Sequence, residues 1–103
     1  MEMTMQSIEQ VSFRLIPGAD RAGFLAHAHA TEAVVRRQPG FVARMLTESE
    51  DGGWTDIVTW ASHADAMAAA EAVMADPAFL PFVQMIDGPS ARMSHATLVW
   101  QLK

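Results

Sequence analysis

The order of the predicted secondary-structure elements indicates an α+β fold, in which one antiparallel sheet carries two helices on a single face. Three observations predict this order: four short segments have the residue pattern of strands, two longer segments begin at helix-capping residues, and a glycine-containing turn joins the two middle strands. Together they give β-α-β-β-α-β, which is the ferredoxin-like order. The length of 103 residues fits one domain spanning residues 1–103, with residues 1–6 as a mobile tail.

The first strand and the first helix lie within the first forty residues. Apolar and polar side chains alternate over residues 8–16, which is typical of a half-buried strand, and a proline and a glycine follow it. Asp20 is suited to cap the next helix, because its carboxylate can accept a hydrogen bond from a free backbone N–H of the first turn. Apolar residues then recur at helical spacing to about Gln38, where a proline-glycine pair ends the helix.

The middle of the chain is predicted to form a hairpin and a second helix. Strands are predicted over Phe41–Glu48 and Trp54–Trp60, and residues 50–53 contain two glycines that suit a tight turn between them. Ser62 begins a sequence that resembles a capping box. The alanine-rich segment 64–75 that follows has the highest helix propensity in the chain, and an Asp-Pro pair ends it.

The last part of the chain is predicted to contain a short helical turn, a loop and a final strand. The helical turn covers residues 79–86, with Pro81 interrupting it. Residues 87–89 are Asp-Gly-Pro, a sequence typical of loops, and residues 93–102 form the fourth predicted strand.

The composition excludes several classes of protein. The chain has no cysteine, which excludes disulfide scaffolds, thiolate metal sites and a cysteine nucleophile. Its formal net charge of −5 argues against nucleic-acid binding, which requires a basic surface. The most apolar stretch, residues 67–85, is too interrupted by acidic residues and prolines to cross a membrane. The first residues lack the pattern of a secretion signal, so we expect a cytoplasmic protein that does not bind membranes.

No motif in the sequence indicates a cofactor or a metal ion. The chain has no glycine-rich phosphate loop, no nucleophile elbow and no His-x-x-x-His pair. His27 and His29 are two positions apart on a predicted helix, so their side chains point in different directions and cannot bind one metal ion together.

Three of the four predicted strands place apolar side chains on both faces of the sheet. The helices cover only one face, and a large exposed apolar surface usually marks an interaction site. We therefore expect a second copy of the chain to cover the open face in a symmetric homodimer. The alternative is that the pattern reflects irregular strand ends, since single exposed apolar residues are common.

Three motifs carry a resemblance to a known family. They are Gln38-Pro39-Gly40-Phe41 before the second strand, Trp54-Thr55-Asp56-Ile57-Val58-Thr59-Trp60-Ala61-Ser62 through the third strand, and Asp65-Ala66 at the start of the second helix. They resemble the antibiotic biosynthesis monooxygenase-like proteins of the dimeric α+β barrel superfamily, over residues 8–102. The resemblance implies a homodimer whose two sheets pack into a barrel, with a pocket between the sheet and the helices of each subunit.

The resemblance also implies a range of activities. Members include cofactor-independent oxygenases of polycyclic phenols, quinol monooxygenases and haem-degrading enzymes. The haem-degrading members use an asparagine, a tryptophan and a histidine at positions nearest to Val11, Ala69 and residues 79–82 of this chain, and none of these matches. The chain has no asparagine and no tyrosine, so it also lacks residues on which the polyketide-oxidising members depend.

His95 is the strongest candidate for a catalytic base among the four histidines. It lies in the last predicted strand among mostly apolar neighbours, and a neutral imidazole can accept a proton near neutral pH. The alternative is a structural histidine on the sheet or at the dimer interface, because nothing in the sequence pairs it with a substrate. His63, which follows the capping serine, is expected to be exposed.

Arg14 and Asp56 are charged residues on predicted strands. Arg14 lies on the polar face of the first strand, which is the face assigned to the dimer. Asp56 lies in the middle of the third strand, where aspartate is disfavoured and a charge needs a partner. The two residues are candidates for an ion pair, within one chain or across the dimer, or for a polar anchor in a pocket.

Large or flexible apolar side chains are expected around the gap between the sheet and the helices. They form either an ordinary core or a hydrophobic pocket for a planar aromatic molecule, with the proline-containing segment 77–89 at its entrance. The residues that we assign to such a pocket are Phe13, Trp60, Met67, Phe82 and Met85.

Two functions fit these observations. The first is a monooxygenase that acts on a small aromatic or quinol-like substrate without a cofactor, in which the deprotonated substrate itself reduces oxygen and His95 is the base. The second is a non-catalytic dimeric protein, of the binding or stress-associated kind, for an apolar small molecule.

Overall fold

The computed structural model describes residues 5–103 and confirms the predicted α+β fold. Its sheet has four antiparallel strands in the order β2-β3-β1-β4. The strands are β1 Ser7–Leu15, β2 Phe41–Glu48, β3 Trp54–Trp60 and β4 Ile86–Thr97. The helices are α1 Arg21–Ala30, α2 Glu32–Arg36, α3 His63–Met74 and α4 Leu80–Gln84, with a short 3-10 helix at Pro77–Phe79.

The predicted helix caps are present and determine where the helices begin. The Asp20 carboxylate accepts a hydrogen bond from the backbone N–H of Gly23 over 3.0 Å, at the start of α1. The Ser62 hydroxyl accepts one from the N–H of Asp65, also over 3.0 Å, at the start of α3. Each side chain satisfies a first-turn N–H that has no partner within its helix.

The prediction of one continuous helix to about Gln38 is wrong, because the helix breaks at Thr31. Thr31 is fully buried, and its hydroxyl donates a hydrogen bond of 2.6 Å to the carbonyl oxygen of Ala28. Its oxygen also accepts a hydrogen bond of 2.8 Å from Arg44. A threonine hydroxyl that bonds to the preceding turn competes with regular helical hydrogen bonds, and here it separates α1 from α2.

The prediction for the last strand is also wrong in its bounds. The sequence predicts it over residues 93–102, whereas β4 covers Ile86–Thr97 and includes the Asp-Gly-Pro sequence that is typical of loops. The sheet accommodates this sequence because β4 is an edge strand, where a proline is tolerated. The register with β1 shifts between Ser12 and Arg14, and the Arg14 N–H donates to the Ser90 hydroxyl over 2.8 Å.

The ends of the described chain differ in their contacts. The sequence predicts a mobile tail over residues 1–6, of which residues 1–4 lie outside the described part. The carbonyl oxygen of Gln6 accepts a hydrogen bond of 2.8 Å from the Leu98 N–H. Beyond that bond the chain continues outside β4. Val99, Trp100 and Leu102 are 81%, 77% and 79% exposed, respectively.

The core is an aromatic cluster between the sheet and the helices. Phe24 of α1 is completely buried at its centre. The centroid of its ring lies 5.8 Å from that of Phe13, 5.0 Å from that of Trp54 and 5.3 Å from that of Phe82. These rings join β1, β3, α1 and α4 and fix how the helices lie on the sheet.

The open face of the sheet carries both polar and apolar side chains. On β1, Gln10, Ser12 and Arg14 are exposed on this face, as predicted. On β2, a register shift after Phe41 places that ring against Trp60 on the helix face, while Met45 pairs with Ile57 on the open face.

Within residues 5–103, no single helix is long and apolar enough to span a membrane. Helix α3 and the segment Pro77–Gln84 together have the length and apolar composition of a membrane span. They are bent by 80° relative to each other.

We predict that Gly40→Ala destabilises the protein more than Gly18→Ala. Both glycines have positive φ, +82° and +77°, so alanine at either position costs about 1–2 kcal/mol in backbone strain. At Gly40 the added methyl group would also collide with the Asp65 carboxylate, whereas nothing lies near it at Gly18. Overpacking of this kind adds about 1–3 kcal/mol. Urea unfolding of the two variants measures the difference, and equal losses would contradict the prediction.

Candidate functional site

Two carboxylates are buried on the helix face of the sheet. Glu9 lies on β1 and Asp56 on β3, and they are only 8% and 9% exposed. Both share this face with the core residues, since Glu9 pairs with Val58 and Val11 pairs with Asp56 across the two central strands. A buried carboxylate requires a charged or hydrogen-bonding partner, and each receives one from a different edge strand.

Glu9 is partnered by His95, the predicted base. The two residues are direct cross-strand neighbours on β1 and β4. The imidazole Nε2 of His95 lies 3.3 Å from a Glu9 carboxylate oxygen, and the two side chains are 19% and 11% exposed. This hydrogen bond engages Nε2, so any proton exchange of the ring with another molecule would use Nδ1.

A second imidazole stands beside the first. His63 is the first residue of α3 and is exposed, as predicted. The centroid of its ring lies 5.1 Å from that of His95, with the ring planes at 88°. We refer to Glu9, His95 and His63 as the imidazole cluster. In space, the carboxylate lies deepest, the half-buried imidazole of His95 lies next to it, and the exposed imidazole of His63 lies at the surface.

Methionines lie next to the imidazole cluster on both of its elements. Met67 follows His63 by one helical turn on α3, so the two share a helix face, and its side chain is 49% exposed. Met93 lies two residues before His95 on the same face of β4 and is 57% exposed. These flexible apolar side chains give the cluster an adaptable apolar border.

The other residues assigned to a ligand pocket lie elsewhere. Phe13 and Phe82 are buried in the aromatic cluster, with ring centroids 6.5 Å apart. Met85 is half-buried and packs against the same core. Trp60 is buried at the end of β3, and its indole N–H finds no hydrogen-bond acceptor in the part of the chain that the structure describes.

Arg14 and Asp56 do not form an ion pair, because they lie on opposite faces of the sheet. Arg14 is exposed on the open face, where its guanidinium contacts Asp51 over 3.1 Å. Asp56 faces the helices, and Arg44 of β2 binds it through two hydrogen bonds of 3.0 and 2.8 Å.

The Arg44 guanidinium organises the region where β2 meets α1 and α4. Besides the two bonds to Asp56, it donates a hydrogen bond of 2.8 Å to the Thr31 hydroxyl. Its central carbon lies 5.6 Å from the centroid of the Phe82 ring, within the range of a cation–π contact. This fixed arginine closes one end of the aromatic core.

A cavity lies beside Arg44, away from the imidazole cluster. It is a groove of about 740 Å³ between the α1–α2 region and β2. Its apolar lining includes Leu25, Val35, Phe41, Leu46 and Trp54, and its charged lining includes Arg21, His29, Glu32, Arg36, Arg44 and Glu48. We call it the β2 groove. None of the residues that the sequence assigns to a site lines it.

Within residues 5–103, no group of three or more histidine, aspartate or glutamate side chains is arranged to hold a metal ion.

The sequence pattern contains a signal for Glu9 but only a weak one for His63. Alternation along β1 places Glu9 on the same face as Val11 and Phe13, so an acid at a buried position is visible there. The proximity of His63 to His95 depends on how α3 lies across the sheet, which no local pattern specifies.

Comparison with known proteins identifies relatives in structure only. No family model matches the chain, and no curated protein matches it. Among solved structures, a Bordetella bronchiseptica protein with the provisional name antibiotic biosynthesis monooxygenase superposes with a TM-score of 0.80 at 17% identity, covering 94% of this chain and 100% of that one. The chain has the fold of the antibiotic biosynthesis monooxygenase-like proteins.

Other structures with this fold differ in what is known of them. SnoaB, a cofactor-independent oxygenase from Streptomyces nogalater, superposes with a TM-score of 0.65 at 22% identity and 97% coverage of both chains. NE2512 from Nitrosomonas europaea, of unknown function, superposes with a TM-score of 0.75 at 12% identity, covering 99% of this chain and 97% of that one. Structural similarity at identities this low establishes the fold and leaves the activity open.

We predict that Asp56→Asn destabilises the protein by about 3 kcal/mol, because it leaves the buried Arg44 charge without its counterion. The matched control is Asp51→Asn, which breaks the exposed ion pair with Arg14 and costs about 0–1 kcal/mol. Urea unfolding monitored by circular dichroism gives both free energies. Similar losses for the two variants would contradict the difference in burial on which the prediction rests.

Proposed function

We propose that this chain is a cytoplasmic, cofactor-independent monooxygenase that oxidises a small electron-rich aromatic or quinol-like substrate at the imidazole cluster. The observation that carries the proposal is the hydrogen bond between the half-buried His95 imidazole and the Glu9 carboxylate. A carboxylate beside an imidazole orients the ring and stabilises the imidazolium that forms when the base takes a proton. The fold shared with SnoaB supports the class of reaction.

The chemistry requires a base from the protein. For an anthrone-like phenol, His95 removes a proton, and the resulting anion passes an electron to O₂. The two radicals combine to form a carbon–oxygen bond, giving a peroxide that regains a proton. Loss of a further C–H proton to the base then breaks the O–O bond and releases water. One CH₂ group and one O₂ become one C=O group and one H₂O, and the substrate supplies all four electrons.

The imidazole cluster would take the place of catalytic residues that the chain lacks. The sequence contains no asparagine and no tyrosine. One of the solved structures of SnoaB has an asparagine replaced by alanine, and no residue of that type is available here. Proton transfer near neutral pH therefore falls to the histidines, and His95 is the one with a buried carboxylate partner.

We predict that His95→Gln lowers oxygen uptake with anthrone-like phenols or quinols by about 10²–10⁴-fold, the usual contribution of a general base. An oxygen electrode with product analysis measures the rate and the expected ratio of one O₂ consumed per product. The matched control is His29→Gln, because His29 also contacts a carboxylate, that of Glu32 at 2.6 Å, but on the exposed surface. This variant is expected to retain the wild-type rate.

Two results would overturn parts of this proposal. Unchanged uptake in folded His95→Gln would exclude His95 as the base. Absence of uptake with every compound in the panel would instead favour a non-catalytic binding protein for an apolar small molecule.

We also propose that the protein acts as a homodimer in which a second copy covers the segment that follows β4. Val99, Trp100 and Leu102 are the most exposed large apolar residues among those that the structure describes. A contiguous apolar surface of this kind is rarely left open to water on a monomer. Pairing of identical copies around a two-fold axis would bury the segment of each copy at once.

We predict a mass near twice 11.2 kDa by size-exclusion chromatography with light scattering at micromolar concentration. The double variant Trp100→Gln, Leu102→Gln should weaken dimerisation by at least about tenfold, since each large apolar side chain contributes about 1.5–3 kcal/mol on burial. Met74→Gln is the control, because Met74 is also exposed, at 63%, but lies on α3. A monomeric wild-type protein would refute the proposal.

A further inference from the structure

The β2 groove lies at the opposite edge of the sheet from the imidazole cluster. The strand order β2-β3-β1-β4 places the groove beside β2 and His95 on β4, with two strands between them. The groove is therefore a separate cavity, and nothing in the proposed oxygenase chemistry uses it.

The floor of the β2 groove is apolar and well ordered by packing. Val35 and Trp54 belong to the buried core, and Leu25, Phe41 and Leu46 pack against that core. These side chains leave about 740 Å³ of space, which falls in the range of small-molecule sites. An apolar or aromatic body is the chemistry that such a surface accepts.

The rim of the groove carries basic groups gathered around one carboxylate. His29 lies 2.6 Å from Glu32, and this hydrogen bond is the main cause that lowers the pKa of the Glu32 carboxyl. The charges of Arg36 and Arg44 lower that pKa further. Arg36 and Arg44 therefore place positive charge in this part of the groove, although the chain as a whole has a formal charge of −5.

Two of these arginines have hydrogen-bonding capacity left over. Arg36 makes no ion pair with any of the residues 5–103 and lines the groove. Arg44 donates three hydrogen bonds, one from each guanidinium nitrogen, to Asp56 and Thr31. A guanidinium has five N–H groups, so two remain for an oxygen in the groove.

We propose that the β2 groove binds an amphipathic organic anion, with its apolar body on Leu25, Val35 and Phe41 and its anionic group between Arg36 and Arg44. A carboxylate and a sulfonate satisfy the same geometry, since both present several acceptor oxygens to a guanidinium.

The charge distribution favours such a ligand over the apolar segment of a second copy. Residues 98–103 contain a lysine and no acidic side chain, so none of their side chains brings a negative charge to Arg36 and Arg44. The groove lies at the β2 edge of the sheet, between this strand and the α1–α2 region.

A pair of fluorescent probes that differ in charge tests this proposal. 8-Anilinonaphthalene-1-sulfonate carries an aromatic body and a sulfonate, and N-phenyl-1-naphthylamine has the same aromatic body without charge. We expect Arg36→Gln to weaken binding of the sulfonate about fivefold and to leave binding of the neutral probe unchanged. Arg36→Lys, which keeps the charge, should restore most of the affinity.

Arg37→Gln is the matched control, because Arg37 is the next residue but pairs with Asp76 at 3.2 Å and does not line the groove. It should bind both probes like the wild type. The proposal is overturned if the wild type does not bind the sulfonate, if Arg36→Gln binds it equally well, or if Arg37→Gln weakens it as much. His95→Gln should bind both probes normally, which separates this site from the proposed oxygenase site.

Discussion

The pairing of buried carboxylates on the helix face is the constraint on which the rest of the molecule depends. Helices cover only one side of this sheet, so every polar group that the central strands place there needs a partner within the protein. Asp56 on β3 obtains Arg44 from β2, and Glu9 on β1 obtains His95 from β4. Each edge strand is thus joined to the centre of the sheet by side chains as well as by backbone hydrogen bonds.

The two pairs differ in their surroundings. Phe24 and Phe82 fill the space next to the Arg44 pair, and Arg44 itself lies over the Phe82 ring. That guanidinium is fixed by three hydrogen bonds and a ring contact, so it is suited to hold a ligand in place. The His95 pair lies beneath the first turn of α3, next to an exposed imidazole. Its proton can reach a molecule at the surface, so this pair is suited to proton transfer.

Most of the fold was predictable because its signals are local. The bounds of β2 and β3, the caps at Asp20 and Ser62 and the face of each residue on β1 follow from alternation, glycine turns and capping chemistry. The errors arose where a tertiary contact overrides the local pattern. Thr31 ends α1 because its hydroxyl, held also by Arg44 from a strand, donates to the carbonyl oxygen of Ala28. Strand β4 begins early because Ile86 and Asp87 pair with Leu15 and Arg14 beyond the register shift. The partner of Asp56 could not be predicted because the side of the sheet on which it lies depends on the register of β3.

The distinction between local patterns and tertiary contacts also explains why the resemblance to a family predicts the fold but not the chemistry. A sheet with helices on one face requires apolar residues of suitable size at many positions, and chains that are 12–22% identical satisfy that requirement equally well. A catalytic group requires a particular atom at one position, and a single substitution removes it. Since this chain has no asparagine or tyrosine, any proton transfer near neutral pH must use its histidines or acids. Of the two histidines that contact a carboxylate in residues 5–103, His29 is exposed at the surface and His95 is largely shielded. Shielding from water strengthens the interaction of the imidazolium with its carboxylate, so the chemistry of this fold in this chain is best sought at His95.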